Sequence, residues 1–392
     1  MSRAKSELEA MGARYAAQWR DNAQVTSQWR EAALVEPNLL RSRTRGDWWG
    51  VLESLHLTLF VTREYEHLVL AMGAQNGAPR ISFFPLPHPS GLAVDRARQQ
   101  LFIASTRNPN QVFRLQPVSG MLKRDDVKSK GRASSAMVPV SSSYYPGSLY
   151  LHDLAIYGDA LFGNAVGHNA VVELRADGSF EYKWWPKCIE KDGQALLSCN
   201  FIQLNSIAAG RTVRESFFSA SAAAMGRRRP GHVNFPVDRR GVIFSGRTRE
   251  PICTGLTRPH SARLAGGRIW VANSGYGELG YVSDGRLEVV RRFPGWTRGL
   301  CLAGDVAFIA TSRVIPRFAR YAPGLDAARS VCAIFATSQK TGAVLGSLEW
   351  PHGNQVFAID WIESKVSPGF VFEAPQRKRG REIGIFYRYL TK

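Results

Sequence analysis

A repeated strand–turn–strand pattern constrains the fold of this 392-residue chain more than any other feature. In each copy a short polar segment, often with His or Arg, leads into a small apolar strand, and a reversal brings on a second one. The copies begin near His88, His152, Asn205, His260, Arg298 and Gln355. Intervals of about forty to sixty residues are typical of four-stranded propeller blades with insertions. The sequence therefore predicts an all-β fold, a six-bladed β-propeller of four-stranded blades.

The two ends of the repeat region are expected to share one blade. Strand-like runs occur at residues 57–62 and 66–72, and the last repeat offers one strand, residues 355–361. Joining these segments closes the ring and leaves no exposed sheet edge. Upstream, residues 7–29 are rich in Ala, Gln, Arg and Glu, as surface helices are. The predicted organisation is a short helical N-terminal extension over residues 1–46, a propeller over residues 47–365 and a basic C-terminal segment over residues 366–392.

Alignment of the second strands places polar residues at one equivalent position in successive repeats. These residues are His152, Asn205, His260 and Arg298. Ser90 takes the position in the first repeat, and His88 lies two residues earlier. The innermost strand of every blade lines the central channel, so equivalent residues converge on one axis. The sequence therefore predicts the functional site on that axis.

Histidines at the strand starts indicate a metal site. Neutral imidazoles from different blades bind transition metals and leave positions open for water or substrate. We predict a divalent transition metal, namely Zn, Fe, Cu or Mn, held by His152, His260 and His88. The common position holds no Glu, which disfavours a calcium site. The alternative for each histidine is a hydrogen-bonded loop residue that fixes a turn.

Three further residues are candidate catalytic groups. Arg298 is expected to project a fixed positive charge that clamps a carboxylate or other oxyanion, or else to bond loop carbonyls. Asn205 comes from the same position, and Arg313 lies where a second strand ends. Ends of second strands either line the opposite mouth of the channel or cap turns. We favour turn capping for the other residues at these ends, which are Asn164, Asn273, Ser274 and Ser312.

The net charge of +19 is unevenly distributed. From Arg211 to Arg268 there are twelve arginines against three acidic residues. Such density attracts phosphates, carboxylates or an acidic protein partner, because arginine presents a planar fork to oxyanions. The alternative is a solvated face without a dedicated ligand. Nucleic acid is not favoured as a partner, since stacking aromatic residues are not interleaved with the basic ones.

Cysteine usage and hydropathy indicate the compartment. The five cysteines are odd in number and form no Cys-x-x-Cys pair, so neither a disulfide framework nor a zinc ribbon is predicted. No apolar run approaches the roughly eighteen residues of a membrane span, and the N-terminal residues lack the apolar core of a secretion signal. We expect a cytoplasmic protein without a membrane partner.

Six short motifs occur together between about Asp47 and Trp361. They are His152-Asp-Leu-Ala, Leu204-Asn-Ser-Ile-Ala, Arg258-Pro-His-Ser-Ala-Arg, Asn273-Ser-Gly-Tyr-Gly, Pro294-Gly-Trp-Thr-Arg-Gly-Leu and Thr311-Ser-Arg. This combination resembles a bacterial family of uncharacterised β-propeller proteins, a domain of unknown function distantly similar to gluconolactonase and strictosidine-synthase-like propellers. The family pattern has a His two residues before Asn205, where this chain has Gln203. The resemblance implies a six-bladed propeller. The distant relatives imply a channel site that is commonly metal-dependent and acts on small polar molecules.

Three functional classes are compatible with these patterns. The first is a metal-dependent enzyme acting on a small polar or anionic substrate, including a peptide or modified amino acid, by hydrolysis, elimination, isomerisation or oxidation. The second is a binding propeller that recognises such a ligand without transforming it. The third is a scaffold whose Arg-rich face binds an acidic protein or nucleic acid. We favour the enzyme, because polar groups that converge in a deep pocket are the default site.

Overall fold

The computed structural model describes residues 29–107, 110–118 and 135–373. Most of the predicted helical extension, residues 1–28, and residues 374–392 of the basic segment lie outside this range. Residues 29–33 are helical, and a seven-residue α-helix, Trp48–Ser54, lies further along the chain. No helix in the described ranges is long and apolar enough to cross a membrane.

Six antiparallel sheets form the blades of a propeller, as predicted. Blade 1 contains Pro89–Asp95, Gln100–Ser105, Asn110–Pro117 and Met137–Tyr145. Blade 2 contains Leu151–Tyr157, Ala160–Ala165, Ala170–Leu174 and Phe180–Trp184. Blade 3 contains Leu204–Ala208, Phe217–Ala220, Gly241–Ser245 and Pro251–Leu256. Blade 4 contains Pro259–Ala265, Arg268–Asn273, Glu278–Ser283 and Arg286–Arg292.

The last two blades each gain a fifth strand. Blade 5 contains Trp296–Ala303, Val306–Ser312, Ala333–Ser338, Val344–Glu349 and, at its outer edge, Arg43–Gly46. Blade 6 contains Ala358–Glu363, Leu57–Arg63, Leu68–Gln75, Ala78–Pro85 and, at its outer edge, Phe372–Glu373. These edge strands lie outside the predicted propeller limits of 47 and 365. They cover edges that would otherwise be free to pair with another chain.

Blade 6 closes the ring, as the sequence predicted. Its innermost strand, Ala358–Glu363, pairs antiparallel with Leu57–Arg63 from the other end of the described chain, with Ala358 opposite Thr62. The first strands of neighbouring blades contact one another around the whole ring. Every residue of Leu57–Arg63 is buried, because neighbouring layers cover both of its faces.

The smaller elements lie in the connections between strands. The 3-10 helices are Pro37–Leu40, Glu64–Glu66, Val166–His168, Lys187–Ile189, Val213–Glu215, Ser274–Tyr276, Pro316–Tyr321 and Ala327–Arg329. A two-stranded ribbon, Glu190–Lys191 with Gln194–Ala195, follows blade 2. The five cysteines are free, and Cys253, Cys301 and Cys332 are buried.

The helix Trp48–Ser54 anchors the start of the propeller. Asp47 caps it by accepting the backbone N–H of Gly50 at 3.2 Å. Trp48 is fully buried, and its ring meets that of Phe308 edge to face with centroids 6.0 Å apart. Its cluster also includes buried residues of blades 5 and 6, so this helix fills the space between those blades.

The connection between the second and third strands differs among the blades. In blades 2, 4 and 6 it is a short 3-10 turn, residues 166–169, 274–277 and 64–67, that ends in a residue with left-handed backbone. In blades 3 and 5 it is much longer, residues 221–240 and 313–332. We call these two segments the paired insertions, because Arg320 donates to the carbonyl of Gly231 at 3.2 Å and their apolar side chains share one buried cluster.

Candidate functional site

A cavity of about 210 Å³ opens at one end of the central channel. All six blades contribute to its lining. The starts of the innermost strands provide Tyr150, His152, Gln203, Arg258, His260, Trp296, Arg298, Asn354, Gln355 and Phe357. The ends of second strands and the connections after them provide Glu64, Tyr65, Thr106, Arg107, Ser312, Arg313, Ile315, Phe318 and Tyr321.

The structure brings most of the predicted site residues together. His152, His260, Arg298 and Arg313 all line the cavity. Asn205 lies in an adjoining space of about 10 Å³, which His152, His260 and Arg298 also line. That space has room for roughly one water molecule. Four of the six predicted residues therefore surround one cavity, and a fifth, Asn205, lies directly beside it.

Arg298 does not occupy the predicted register. In blade 4, His260 pairs with Ala272, and the corresponding pair in blade 5 joins Thr297 to Thr311. Arg298 is therefore one residue beyond the common position. The strand is irregular between Thr297 and Leu300, with Gly299 in left-handed backbone. A bulge re-aims the side chains near it, which explains how Arg298 lines the channel from the following position.

His88 is not among the residues that line either cavity. Its backbone has a positive φ of 43°, and its ring lies against His67 with centroids 4.3 Å apart. The Nε2 atoms of His67 and His88 lie 3.7 and 3.8 Å from an Oε2 atom of Glu31. The three predicted metal ligands are therefore not brought together. His88 belongs instead to a separate His/Glu cluster with His67 and Glu31.

The hydrogen bonding of this cluster limits its use as a metal site. The backbone N–H of His88 donates to the Nδ1 atom of His67 at 3.1 Å. A neutral imidazole has one lone pair in the ring plane, so the Nε2 atom of His67 carries the proton. The lone pair of His67 is on Nδ1 and is used by this hydrogen bond, so His67 has no free lone pair for a metal ion. Burial lowers the pKa of His67, and it lowers the pKa of His88 to about 3.

His260 has a defined tautomer. Its Nδ1 atom lies 2.8 Å from the carbonyl oxygen of Arg258 and 2.9 Å from the hydroxyl of Ser274. The carbonyl oxygen can only accept, so Nδ1 carries the proton and the lone pair is on Nε2. Burial, and then the charges of Arg298 and Arg258, hold the pKa of His260 well below its usual value. Its Nε2 atom is therefore a neutral base or metal ligand.

His152 is also a neutral imidazole. Burial, and then the charges of Arg298 and Arg258, hold its pKa well below the usual value. The ring meets Phe357 edge to face with centroids 5.4 Å apart. Its Nδ1 atom is buried and has no hydrogen-bond partner in the described part of the chain.

Arg258 and Arg298 place two positive charges beside these histidines. The Arg298 guanidinium stacks on Phe357, with its carbon 3.3 Å from the ring centroid, and that of Arg258 lies 4.4 Å from the ring of Tyr321. Burial lowers the pKa of each to about 10, so both remain charged at neutral pH. Neither makes an ion pair with a carboxylate among residues 29–107, 110–118 and 135–373.

Gln203 positions Arg258. The Nη1 atom of Arg258 donates to Oε1 of Gln203 at 2.6 Å. The amide oxygen of Gln203 holds the guanidinium group of Arg258 without neutralising its charge. Both residues have left-handed backbone, with φ of 51° and 54°. Left-handed backbone is costly for residues other than glycine, so these positions are sites of stored strain.

Glu64 is the only carboxylate among the described residues that line the cavity. Its Oε1 atom accepts from the hydroxyl of Thr106 at 2.7 Å and lies 3.5 Å from Nε of Arg107. Its Oε2 atom accepts from Gln355 at 3.4 Å. Arg107 therefore balances the charge of Glu64. The repeat pattern did not indicate Glu64 or Arg107, because both residues lie in connections and the periodic pattern is confined to the strands.

Arg313 has a local structural role at the rim. Its Nε and Nη2 atoms donate to the carbonyls of Gly353 and Pro351 at 3.0 and 2.7 Å. It therefore fixes the loop that leads to Phe357. Arg313 and Ser312 line the same cavity as His152, so the expectation that strand ends line the opposite mouth is wrong.

Three of the other four residues at these strand ends join neighbouring blades, whereas the fourth, Asn273, bonds to Thr257 and Glu278 beside its own strand. Asn164 donates to the carbonyl of Leu204 at 2.7 Å, and Ser274 donates to that of Thr297 at 2.6 Å. Ser312 donates to the carbonyl of Val356 at 3.1 Å. Each bond reaches the start of the next innermost strand. They therefore fix the segments that present the cavity side chains.

Asp153, which is buried, and Arg263, which is partly buried, form an ion pair beside the cavity. Arg263 donates from Nη1 and Nη2 to the two carboxylate oxygens of Asp153 at 2.7 and 3.1 Å. The backbone N–H of Ile207 also donates to Asp153 at 3.0 Å. The pair joins blades 2, 3 and 4 across the axis. Its charges compensate each other, so it contributes little net charge to the cavity.

Asn205 links blades 3 and 4. Its Nδ2 atom donates to the hydroxyl of Ser221 at 3.1 Å and to the carbonyl of Pro259 at 2.9 Å. Its Oδ1 atom is buried without a hydrogen-bond partner among the described residues. That oxygen is an available acceptor or ligand beside His152 and His260.

Comparisons with solved structures show similarity in fold. A chain of the nidogen/laminin complex is 8% identical, with 78% of this chain and 98% of that chain covered and a TM-score of 0.51. A protein of unknown function from Bacteroides caccae is 12% identical, with 78% and 98% covered and a TM-score of 0.47. A gluconolactonase from Xanthomonas campestris is 13% identical, with 76% and 86% covered and a TM-score of 0.43. The structural neighbours thus include a gluconolactonase.

Sequence comparison identifies the family. No curated protein matches the chain. The family described as a domain of unknown function (DUF4915) matches residues 46–371, from the last residue of the first edge strand to the residue before the second edge strand. This range contains every residue that lines the cavity. The chain therefore belongs to the DUF4915 family, and the structure shows that it folds as a six-bladed β-propeller.

Proposed function

We propose that the chain is an enzyme that acts on a small anionic molecule in the central cavity. The observation that carries this proposal is the pair Arg258 and Arg298, one buried and one half-buried cation that make no ion pair with a carboxylate in the described chain. A buried charge is costly unless it is paired. An anionic ligand would supply the missing partner.

The stacking of the two guanidinium groups supports this arrangement. Guanidinium N–H groups lie in the plane of the group, so a ring that covers one face leaves the in-plane donors free. Phe357 and Tyr321 provide these rings. Both arginines would then donate to a carboxylate or phosphate in the cavity. A volume of about 210 Å³ suits a small molecule or one side chain of a peptide.

The acid–base group of the proposed enzyme is His260. Its Nδ1–H is fixed by the carbonyl of Arg258, and the lowered pKa leaves Nε2 unprotonated at neutral pH. A neutral imidazole with a fixed tautomer accepts a proton from a bound substrate or water. Hydrolysis, elimination and isomerisation all use such a step. The adjacent arginines would stabilise negative charge that develops on the substrate.

A ligand panel tests the proposal. Calorimetry would compare benzoate, succinate and phosphate with benzamide and succinamide as neutral analogues. We expect the anions to bind better, and Arg298→Gln to weaken them by at least about tenfold, because a hydrogen bond to a charged group is worth about 1.5–3 kcal/mol.

Arg268→Gln is the matched control, since it removes the charge of an exposed arginine on blade 4. It should leave anion affinity unchanged. Equal binding of anions and neutral analogues, or equal losses in both variants, would refute the anionic substrate.

Metal dependence is the second candidate, and the unpartnered Oδ1 atom of Asn205 favours it. His152, His260 and Asn205 border one small space and offer neutral nitrogen and oxygen donors. They would hold a divalent transition metal, which would polarise a carbonyl or activate water when bound. The charges of Arg258 and Arg298 oppose a cation here, so metal affinity should increase when an anionic ligand is present.

Elemental analysis tests this candidate. Protein purified without chelator or a His-rich tag would be compared with the double variant His152→Ala/His260→Ala, with and without added succinate. Near-stoichiometric metal in the wild type that disappears in the folded variant would support a metal enzyme. Equal metal content in both proteins, or none after reconstitution with divalent ions, would leave the acid–base role of His260 without a metal.

A further inference from the structure

The paired insertions carry exposed positive charge beside the mouth of the cavity. Arg227, Arg228 and Arg229 lie on residues 221–240 and are exposed. Arg320, on the other insertion, lies over the ring of Tyr321, its guanidinium carbon 4.6 Å from the ring centroid, and Tyr321 lines the cavity. We propose that the paired insertions form a docking surface for an acidic peptide segment of a partner protein.

The arginines of this surface lack acidic partners. Within the described ranges, Arg227, Arg228 and Arg229 make no ion pair with a carboxylate, whereas many exposed arginines elsewhere do. Examples are Arg43 with Glu349 and Arg96 with Asp360. The observed contacts of the three are to neutral atoms, the carbonyl of Asn234 for Arg228 and the sulfur of Cys199 for Arg229.

The acidic residues of the insertions are already engaged. Asp238 accepts from the hydroxyls of Thr257 and Tyr276 at 2.8 and 3.0 Å. Asp326 accepts the backbone N–H of Ala328 at 2.9 Å. These carboxylates hold the insertions against the blades and do not neutralise the arginines. The positive charge is therefore available to a partner.

The paired insertions are held together, and against the blades, without a bound partner. Phe235 and Val237 are buried in the same cluster as Tyr321, and Arg320 joins the two insertions through the carbonyl of Gly231. The backbone N–H of Gly324 also donates to Gly275 of the short turn in blade 4 at 3.0 Å. A preformed surface loses little conformational entropy on binding.

The chemistry of the surface favours acidic protein over nucleic acid. Arginine forms two parallel hydrogen bonds with a carboxylate. Val233 is 68% exposed on the same segment and offers an apolar contact. No Trp, Tyr or Phe of the described insertions is exposed, whereas proteins that bind single strands use exposed aromatic rings for stacking. This inference does not depend on the reaction in the cavity.

Fluorescence anisotropy tests the docking surface. The probe is a labelled Glu-rich peptide at low ionic strength, titrated with the full chain. The triple variant Arg227→Gln/Arg228→Gln/Arg229→Gln should bind about tenfold more weakly, since each exposed charge pair is worth about 0.2–1 kcal/mol. The control triple Arg45→Gln/Arg80→Gln/Arg286→Gln removes the same charge from outer strands of blades 5, 6 and 4 and should change affinity by less than about twofold.

Each other outcome overturns the proposal. If the two triple variants weaken binding equally, the peptide responds to net charge and not to this surface. If a single-stranded oligonucleotide of matched charge binds more tightly and loses affinity in the same insertion variant, the surface is a nucleic-acid site. If the wild type does not bind the peptide, the surface has another role. Thermal unfolding of each variant checks the fold, and Arg228→Gln alone replaces the triple variant if that one unfolds.

Discussion

At the scale of single residues, burial lowers the pKa of His152, His260, Arg258 and Arg298. His152 and His260 are kept neutral because burial and the adjacent guanidinium groups both disfavour a second positive charge. Arg258 and Arg298 stay charged, since even a lowered pKa of about 10 lies far above neutral pH. The cavity thus contains acceptor nitrogens and fixed cations together, which is a combination suited to proton transfer from an anion.

His168 allows a quantitative test of how burial of a histidine changes stability with pH. Its Nδ1 atom lies 2.8 Å from the hydroxyl of Tyr182, and burial lowers its pKa to about 4. The unfolded chain takes up this proton near pH 6.5, whereas the folded protein takes it up only near pH 4. Stability should therefore fall as the pH decreases through this window, by up to about 1.4 kcal/mol per pH unit from this group.

The variant His168→Gln should show a shallower decrease of the unfolding free energy between pH 6.5 and 4, measured by urea denaturation. The control His352→Gln, at an exposed position, should keep the wild-type slope. A wild-type slope in both variants would show that His168 titrates normally in the folded state.

Sequence reasoning found some of the site residues and missed others for identifiable reasons. His152 and His260 were found because their strand position repeats. Arg298 was assigned one residue out of register, since the irregularity after Thr297 leaves no periodic signal. Arg258 stood in a quoted motif, yet its pairing with Gln203 depends on the approach of two blades that are distant in sequence.

At the scale of elements, close approach of the innermost strands determines where the site side chains lie. A Cβ atom on Gly91 of blade 1 would lie 2.6 Å from Cα of Asp153 and 2.9 Å from the carbonyl oxygen of His152 in blade 2. Both contacts involve backbone, which cannot move without displacing a strand. The absence of a side chain at Gly91 therefore permits the spacing that presents His152.

The substitution Gly91→Ala should lower the unfolding free energy by about 1–3 kcal/mol, as overpacking of a core does. It should also weaken anion binding, because the start of the strand with His152 would shift. Gly226→Ala is the control, since its Cβ atom would meet nothing closer than 3.7 Å. Unchanged stability in Gly91→Ala, measured by denaturation, would show that the two strands separate freely.

The elements themselves were largely predictable. Alternating and continuous apolar runs predicted the strands. The pairing of the first and last strands of the propeller in blade 6 followed from the need to close the ring. The edge strands Arg43–Gly46 and Phe372–Glu373 were not foreseen, because they are short and polar or lie beyond the last repeat. The meeting of the paired insertions was not foreseen either, since loop contacts carry no sequence period.

At the scale of the whole molecule, charge and topology place the function at one end of the ring. The net charge of +19 draws anions to the surface generally. The cavity attracts an anion more specifically, because the buried guanidinium group of Arg258 and the half-buried one of Arg298 make no ion pair in the described chain. The longest connections lie at this same end, in the paired insertions. A polymer that docks there would lie next to the cavity mouth.

The closing of blade 6 has a consequence for how the protein is made. The innermost strand of that blade pairs with residues about three hundred positions earlier, so this contact is among the most distant in the described chain. Such contacts form late, since a long loop must be ordered first. Asn354, Gln355 and Phe357 immediately precede this strand and complete the cavity wall. A ligand that needs the whole wall should therefore bind only chains whose ring has closed, and its presence would favour finished molecules over nascent ones.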